Sequence, residues 1–245
     1  QFGGAIGGRI KKDKTFFFSN YEALREAKGL STSVDTLSEN AHNGILTSGT
    51  VTVNPRMKPY LQFYPNPNAG VTGDTGKFAF DAVRLGNEKY VIGKMDHYFS
   101  ASTTISGSYS YDNTSVTFPD LYDEKLSVAP AGKQNAVLTL QHIFSPSIIN
   151  NTRAGVSRSF AGNNIDCCVK LPGLADPALG FVPGQPVGTF NVTGIANISG
   201  TTLWGGIGSS GLNKFYYTAP QFYNDLSWTK GRHSMRMGFG FERVQ

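Results

Sequence analysis

Charge is the first shortage. Only 16% of the 245 residues are Asp, Glu, Lys or Arg, against roughly a quarter in ordinary soluble domains. The net charge of +5 is a mild basic excess. Its one cluster, RIKKDK at Arg9–Lys14, has an Asp inside it and reads as a solvated turn, so no nucleic-acid partner is predicted. Cysteine is almost absent. Cys167 and Cys168 are adjacent, which strains a bridge between them and makes no metal site by spacing. They read as a vicinal loop pair or as two free thiols. No apolar run approaches the ~18 residues of a membrane-spanning helix. His42, His97, His142 and His233 are isolated, without a second ligand at a metal-binding spacing. There is no G-x-S-x-G elbow, and no two carboxylates are spaced for acid–base work. GIGSSG at Gly206–Gly211 has the letters of a phosphate loop. It is followed by an alternating segment, LNKFYYTAPQFY, rather than by the helix whose N-terminus would meet the phosphate. The sequence thus predicts no catalytic residue, no metal and no cofactor: the protein is not read as an enzyme.

What is present is Gly, Ser, Thr, Asn and aromatics, with 29 glycines, 17 phenylalanines and 11 tyrosines. This composition favours an all-β chain of extracytoplasmic type. The stretch YVIGKMDHYFSASTTISGSYSYDN, Tyr90–Asn113, shows the pattern most openly. Val91, Gly93, Met95 and Phe99 share one side against Ile92, Lys94 and Asp96. After a small turn, Ile105, Gly107, Tyr109 and Tyr111 oppose a row of Ser and Thr that ends in Asp112. Eight such strands are predicted: Gln1–Ile10, Thr15–Glu26, Glu88–Phe99, Ser102–Asn113, Lys133–Phe144, Ile148–Phe160, Lys214–Trp228 and Ser234–Arg243. Strands of this length exceed the five or six residues usual in soluble sheets and match the nine to eleven of a tilted membrane-crossing strand.

The connections alternate strictly. Tight turns join the strands in pairs, and long links follow at about 27–87, 114–132 and 161–213. All short turns then lie at one end of an up-and-down antiparallel meander and all long loops at the other, which is the asymmetry of outer-membrane barrels. Within the loops, NPRMKPYLQFYPNPN at Asn54–Asn68 predicts a short helix halted by prolines. Leu171–Gly211 is too rich in Gly and Pro for long regular elements. Phe16, Phe17, Tyr98, Phe99, Phe144 and Trp228 flank the short turns and read as an aromatic belt at a membrane interface. The competing expectation is a secreted or surface-attached binding or adhesion protein, a sandwich with Val91, Met95, Leu138 and Leu140 between two sheets.

Several stretches resemble a known family. QFGGAIGGRIKKDKTFFFSNYEALRE is similar to the plug-to-barrel junction of TonB-dependent receptors of the Oar-like kind. KMDHYFSASTTISGSYSYD, LQHIFSPSIINNTRAGVSR and NDLSWTKGRHSMRMGFGFE resemble later hairpins of the same barrels. Arg9 stands where the family usually has Pro, and Ala23 where Gly is common. The resemblance implies the first eight or so strands of a plugged barrel of about 22, in the outer membrane of a Gram-negative bacterium. The implied partners are membrane lipid, a scarce imported ligand, and a TonB complex contacted through segments that lie upstream in the family. No ligand-binding residue follows from it. Since QFGGAIGG lacks a signal-peptide pattern and GFGFERVQ stops in mid-alternation, the chain is expected to be a piece of a longer one. Because its lumen face would be shaped against a plug, its sheet is expected to stay open or to close only under strain, rather than to pair Phe2–Ile10 cleanly with Met235–Glu242.

Overall fold

A computed structural model describes residues 1–163, 170–180, 182–184, 187, 192–195 and 213–245. Cys167, Cys168 and the Gly206–Gly211 segment lie outside them. The strands are β1 (Phe2–Lys11), β2 (Thr15–Leu37), β3 (Ile45–Leu46), β4 (Gly49–Thr50), β5 (Val71–Thr72), β6 (Thr75–Tyr98), β7 (Thr103–Pro119), β8 (Leu126–Ser145), β9 (Ile148–Asn163), β10 (Asn213–Lys230) and β11 (His233–Glu242). Two one-turn helices, α1 (Glu39–His42) and α2 (Lys58–Leu61), interrupt the first long loop, α2 within the stretch where a short helix is expected. The eight long strands form one antiparallel sheet in the order β1-β2-β6-β7-β8-β9-β10-β11, to which β5 adds a short strand beside β6. The sheet is an open meander: β1 and β11 are its two edges and do not pair.

The eight expected strands are all present, and the tight turns fall where expected. In the β10–β11 turn, Gly231 takes φ 59 with Lys230 opposite His233. Glycine at the first central position of a two-residue hairpin gives the strands the twist they need. All eight long strands lie in one sheet, and the other, the two-stranded β3–β4 pair, belongs to the first loop, which excludes the sandwich. Leu138 and Leu140, which that arrangement would bury, are 50% and 40% exposed.

The strands reach further into the expected loops than the sequence indicates. β2 and β6 stay paired from Thr15–His97 out to Leu37–Thr75, so the long link shortens from 27–87 to 38–74. Out there the apolar alternation has faded, and polar cross-strand contacts accompany the backbone ladder. Arg84 meets Glu26 at 2.9 Å, Lys77 meets Asp35 at 2.7 Å, and the Ser31 hydroxyl donates to Asp81 at 2.6 Å. The link expected at 114–132 shrinks to 120–125. Pro119 ends β7, and Pro130 pairs only with β7 because the β8–β9 ladder begins at Ala131. A proline is tolerated at such an edge position. Asp120 closes the turn by accepting from the backbone of Glu124 at 2.7 Å and of Lys125 at 3.3 Å.

Apart from Ala23 and Ala219 on the sheet, the buried apolar residues gather at the loop end. Val34, Phe63, Tyr64, Tyr122, Leu174, Val187 and Ile195 form one cluster, with Phe78 packed against it. Hydrogen bonds tie the loops together there. Tyr122 donates to the Asp35 carbonyl at 2.7 Å, Tyr60 to Leu179 at 2.9 Å, and Thr36 to Pro65 at 2.7 Å. His42 brackets the first loop, with Nδ1 2.9 Å from the Ser38 carbonyl and Nε2 3.0 Å from that of Tyr64. Tyr64 is 2% exposed and meets the Tyr122 ring edge-on at 5.5 Å. Truncating a buried aromatic costs about 3–5 kcal/mol. Tyr64→Ala is therefore expected to open the cluster to protease at 38–74 and 120–125, with the strand signal in circular dichroism unchanged. Equal protease resistance in the two proteins would contradict this.

Candidate functional site

Pairing across the sheet sorts the side chains onto two faces. One row runs Gly8, Phe17, Met95, Gly107, Leu138, Ala154, Phe222 and Phe241, strand by strand. A parallel row on the same face carries Ser19, Gly93, Tyr109, Ala136 and Val156. Between their bulky members lies a shallow apolar depression of about 830 Å³ over Gly93 and Gly107. Large side chains on this face stand in the open: Ile6 is 66% exposed, Met95 50% and Phe239 64%. An apolar surface continuous over eight strands is far beyond what a water-soluble monomer exposes, and it is what hydrocarbon requires of a barrel's outside.

The opposite face is polar. The rows Lys94–Ser108, Asp96–Ser106–Thr139–Arg153 and Ser110–Asn135–Ser157 lie on it. Asn135 donates to Ser110 at 3.2 Å, and Arg236 meets Asp225 at 3.3 Å. Val34 and Phe78 of the loop cluster, and the buried Thr36 two residues on, belong to this face by register. The loops therefore fold over the polar side, as a cap at one end of the lane.

The apolar band has two borders. On β6 it runs from His97 to Lys89, about 27 Å of strand at 3.3–3.4 Å per residue. At a tilt of 35–45° this is about 20 Å of membrane depth. Of the aromatics expected at the short-turn border, Phe17 and Trp228 lie on the apolar face. Phe99 and Phe144 meet His97 and His142 of that face edge-on at 4.5 Å and are 58% and 64% exposed. Phe16 and Tyr98 instead fall on the polar face, where they pack edge-on at 6.2 Å. Adjacent strand residues point to opposite sides, so neighbours such as Phe16 and Phe17 cannot both serve one belt. The other border carries aromatics that closeness to short turns does not reveal. Phe160 and Tyr216 pair at 6.2 Å, with Arg158 5.9 Å over the Tyr216 ring. The Phe160 ring lies across Gly132, where a Cβ would collide with it.

A repeat went unread in the sequence. His97–Ser102 and His142–Ser147 both read H-x-F-S-x-S. Each His Nδ1 lies 2.8 Å from a neighbouring threonine hydroxyl, Thr15 for His97 and Thr103 for His142. Each serine pair closes its turn with hydroxyls 3.1 Å apart. Self-comparison at this spacing was the signal that could have found it.

Under the cap, Asp120, Glu124 and Lys125 sit together in the turn between β7 and β8. Glu124 is 7% exposed, and its Oε2 has no hydrogen-bond partner among the described residues. Burial, reinforced by the neighbouring Asp120 charge, raises its carboxyl to about 8. Burial also raises Asp120 and lowers Lys125. Among the described residues no group of His, Cys, Asp or Glu is arranged to hold a metal. Between about pH 4.5 and 8 the closed cap holds a proton on Glu124 that an opened loop releases. Cap stability therefore falls as pH rises through that window. Deuterium exchange at 120–125, corrected for intrinsic rate, is expected to be slower at the acid side of the window than at pH 8. Glu124→Gln should abolish the difference. Exchange that does not change with pH in the unmutated protein would contradict it.

Comparison with known proteins agrees with this geometry. A search of curated proteins finds no match. The crystal structure of the outer membrane transporter YddB from Escherichia coli is similar, with a TM-score of 0.53 at 10% sequence identity. The match covers 99% of this chain but 24% of that one, so the chain spans about a quarter of the transporter's length. At that identity the likeness is one of fold. The family model described as "Outer membrane beta barrel domain" matches residues 1–245, the whole chain, and the chain belongs to that family.

Proposed function

We propose that this chain is the first part of the barrel wall of a TonB-dependent outer-membrane receptor of the Oar-like kind, which imports a scarce ligand across the outer membrane of a Gram-negative bacterium. The observation that carries the reading is the sheet itself: eight long strands with a lipid-type face, a polar face and two unpaired edges. Neither edge can remain unpaired in hydrocarbon, so further strands of the parent protein complete the wall. The polar lane suits a water-filled or plug-filled lumen, and the loop cap lies over the end where an external ligand would arrive. The resemblance of the hairpins to those of TonB-dependent receptors supplies the energised import, and ligand import rests on that likeness.

The test is retention of the parent protein, purified in detergent, on an immobilised periplasmic domain of TonB. Retention is expected, and so is its loss when the region preceding Gln1 is removed. A parent protein with no segment before Gln1 able to plug the barrel, and with no retention, would overturn the receptor reading.

A further inference from the structure

We propose that the short-turn border of the apolar face is a docking surface for the headgroups of anionic glycerophospholipids. This rests on the membrane reading above and deepens it.

Charge is the first support. The turns at this end carry Lys11, Lys12, Lys14, Lys230 and Arg232 against Asp13 alone. The other acids near this end, Asp96 and Asp225, lie on the polar face. The loop end instead mixes both signs, in pairs such as Lys77–Asp35 and Lys170–Asp123. Basic residues beside an anionic leaflet contribute about 1 kcal/mol each. The order across the border is basic turn, His–Phe turn, His–Phe turn, basic turn, following the strand order.

Orientation is the second support. Thr15 and Thr103 engage Nδ1 of His97 and His142, which leaves Nε2 to meet the headgroup layer. Phe99 and Phe144, edge-on against the imidazoles, stand exposed beside them. An aromatic body with a polar tip is the chemistry favoured at the hydrocarbon–headgroup boundary. Lys230 Nζ lies 5.4 Å over the Trp228 ring at the same border.

A polar notch in the belt is the third. Next to His142 on the apolar face, Asn150, Thr152 and Asn224 interrupt the apolar rows. They satisfy one another: Asn224 donates to Thr152 at 2.8 Å and to Asn150 at 3.2 Å, and Asn150 donates back to Asn224 at 3.1 Å. A self-bonded amide pair can stand in the glycerol layer without the cost of an unpartnered polar group. It lets the headgroup region dip towards His142.

Native mass spectrometry of the detergent-purified parent protein tests this with dioleoyl phosphatidylglycerol, dioleoyl phosphatidylcholine and inorganic phosphate as probes. Phosphatidylglycerol is expected to bind more tightly than phosphatidylcholine, and inorganic phosphate is not expected to displace it. Combined Lys11→Gln, Lys12→Gln, Lys14→Gln and Lys230→Gln should weaken phosphatidylglycerol by about fivefold for each lysine removed. Lys89→Gln, at the opposite border, should leave it unchanged. His97→Phe with His142→Phe should weaken both lipids alike, because it removes a donor to the phosphate they share. If a variant fails to fold, rising salt must weaken phosphatidylglycerol on the unmutated protein instead. Equal binding of the two lipids, displacement by inorganic phosphate, indifference to salt, or an unchanged lysine or histidine variant overturns the proposal. Solubility of the parent protein without detergent would sink the membrane reading itself, which keeps the two failures distinguishable.

Discussion

Backbone hydrogen bonding in hydrocarbon is the constraint on which the rest of this structure depends. A strand inside a bilayer has no water to satisfy its N–H and C=O groups, so each must find a neighbouring strand. That requirement explains why the long strands form one uninterrupted ladder from β1 to β11. It explains why the tight turns are small and close on themselves through backbone and serine hydroxyl contacts. It also gives the two edges their meaning. An edge strand is a hazard in water and untenable in lipid, so β1 and β11 are the places where this sheet calls for a further strand.

Side-chain alternation does the rest. With a period of two, one ladder presents Phe17, Met95, Leu138 and Phe222 to one side, and Asp96, Ser106, Thr139 and Arg153 to the other. The apolar side needs no packing partner within the chain, which is why the buried core is found among the loops. The two ends then diverge. The short-turn end is compact, basic and aromatic. The loop end builds a small core of its own around Tyr64 and Tyr122 and encloses a carboxyl held largely protonated near neutrality.

The strands, the faces and the sorting of short turns were legible because hydrocarbon imposes a strong period-two signal on residues such as Ile105–Tyr111 and Met235–Phe241. Where the strands leave the bilayer that signal vanishes while the ladder does not, so the pairing of Gly29 with Val83 or Val34 with Phe78 was hidden in an apparent loop. Pro130 breaks a strand only if its missing N–H is needed, and at that point no second neighbour asks for it. The placing of the border aromatics depends on two things, position along a strand and register. Position along the strand could be read from the nearest turn, but the face of Phe16 and Tyr98 depended on register. The loop core could not be read at all, since Tyr64, Tyr122 and Leu174 meet only through the fold.

The central claim is that one face of this sheet meets lipid and the other a lumen. Site-directed spin labels tested for collision with oxygen and with a water-soluble nickel chelate examine it most directly. Cys167 and Cys168 would first be replaced, and labels then placed by Lys94→Cys, Met95→Cys, Gly107→Cys, Ser108→Cys, Val137→Cys and Leu138→Cys in the parent protein reconstituted into bilayers. The account predicts strict alternation: oxygen dominates at 95, 107 and 138, and the nickel chelate or burial at 94, 108 and 137. Similar accessibility on both faces, or nickel dominant at 95 and 138, would contradict it.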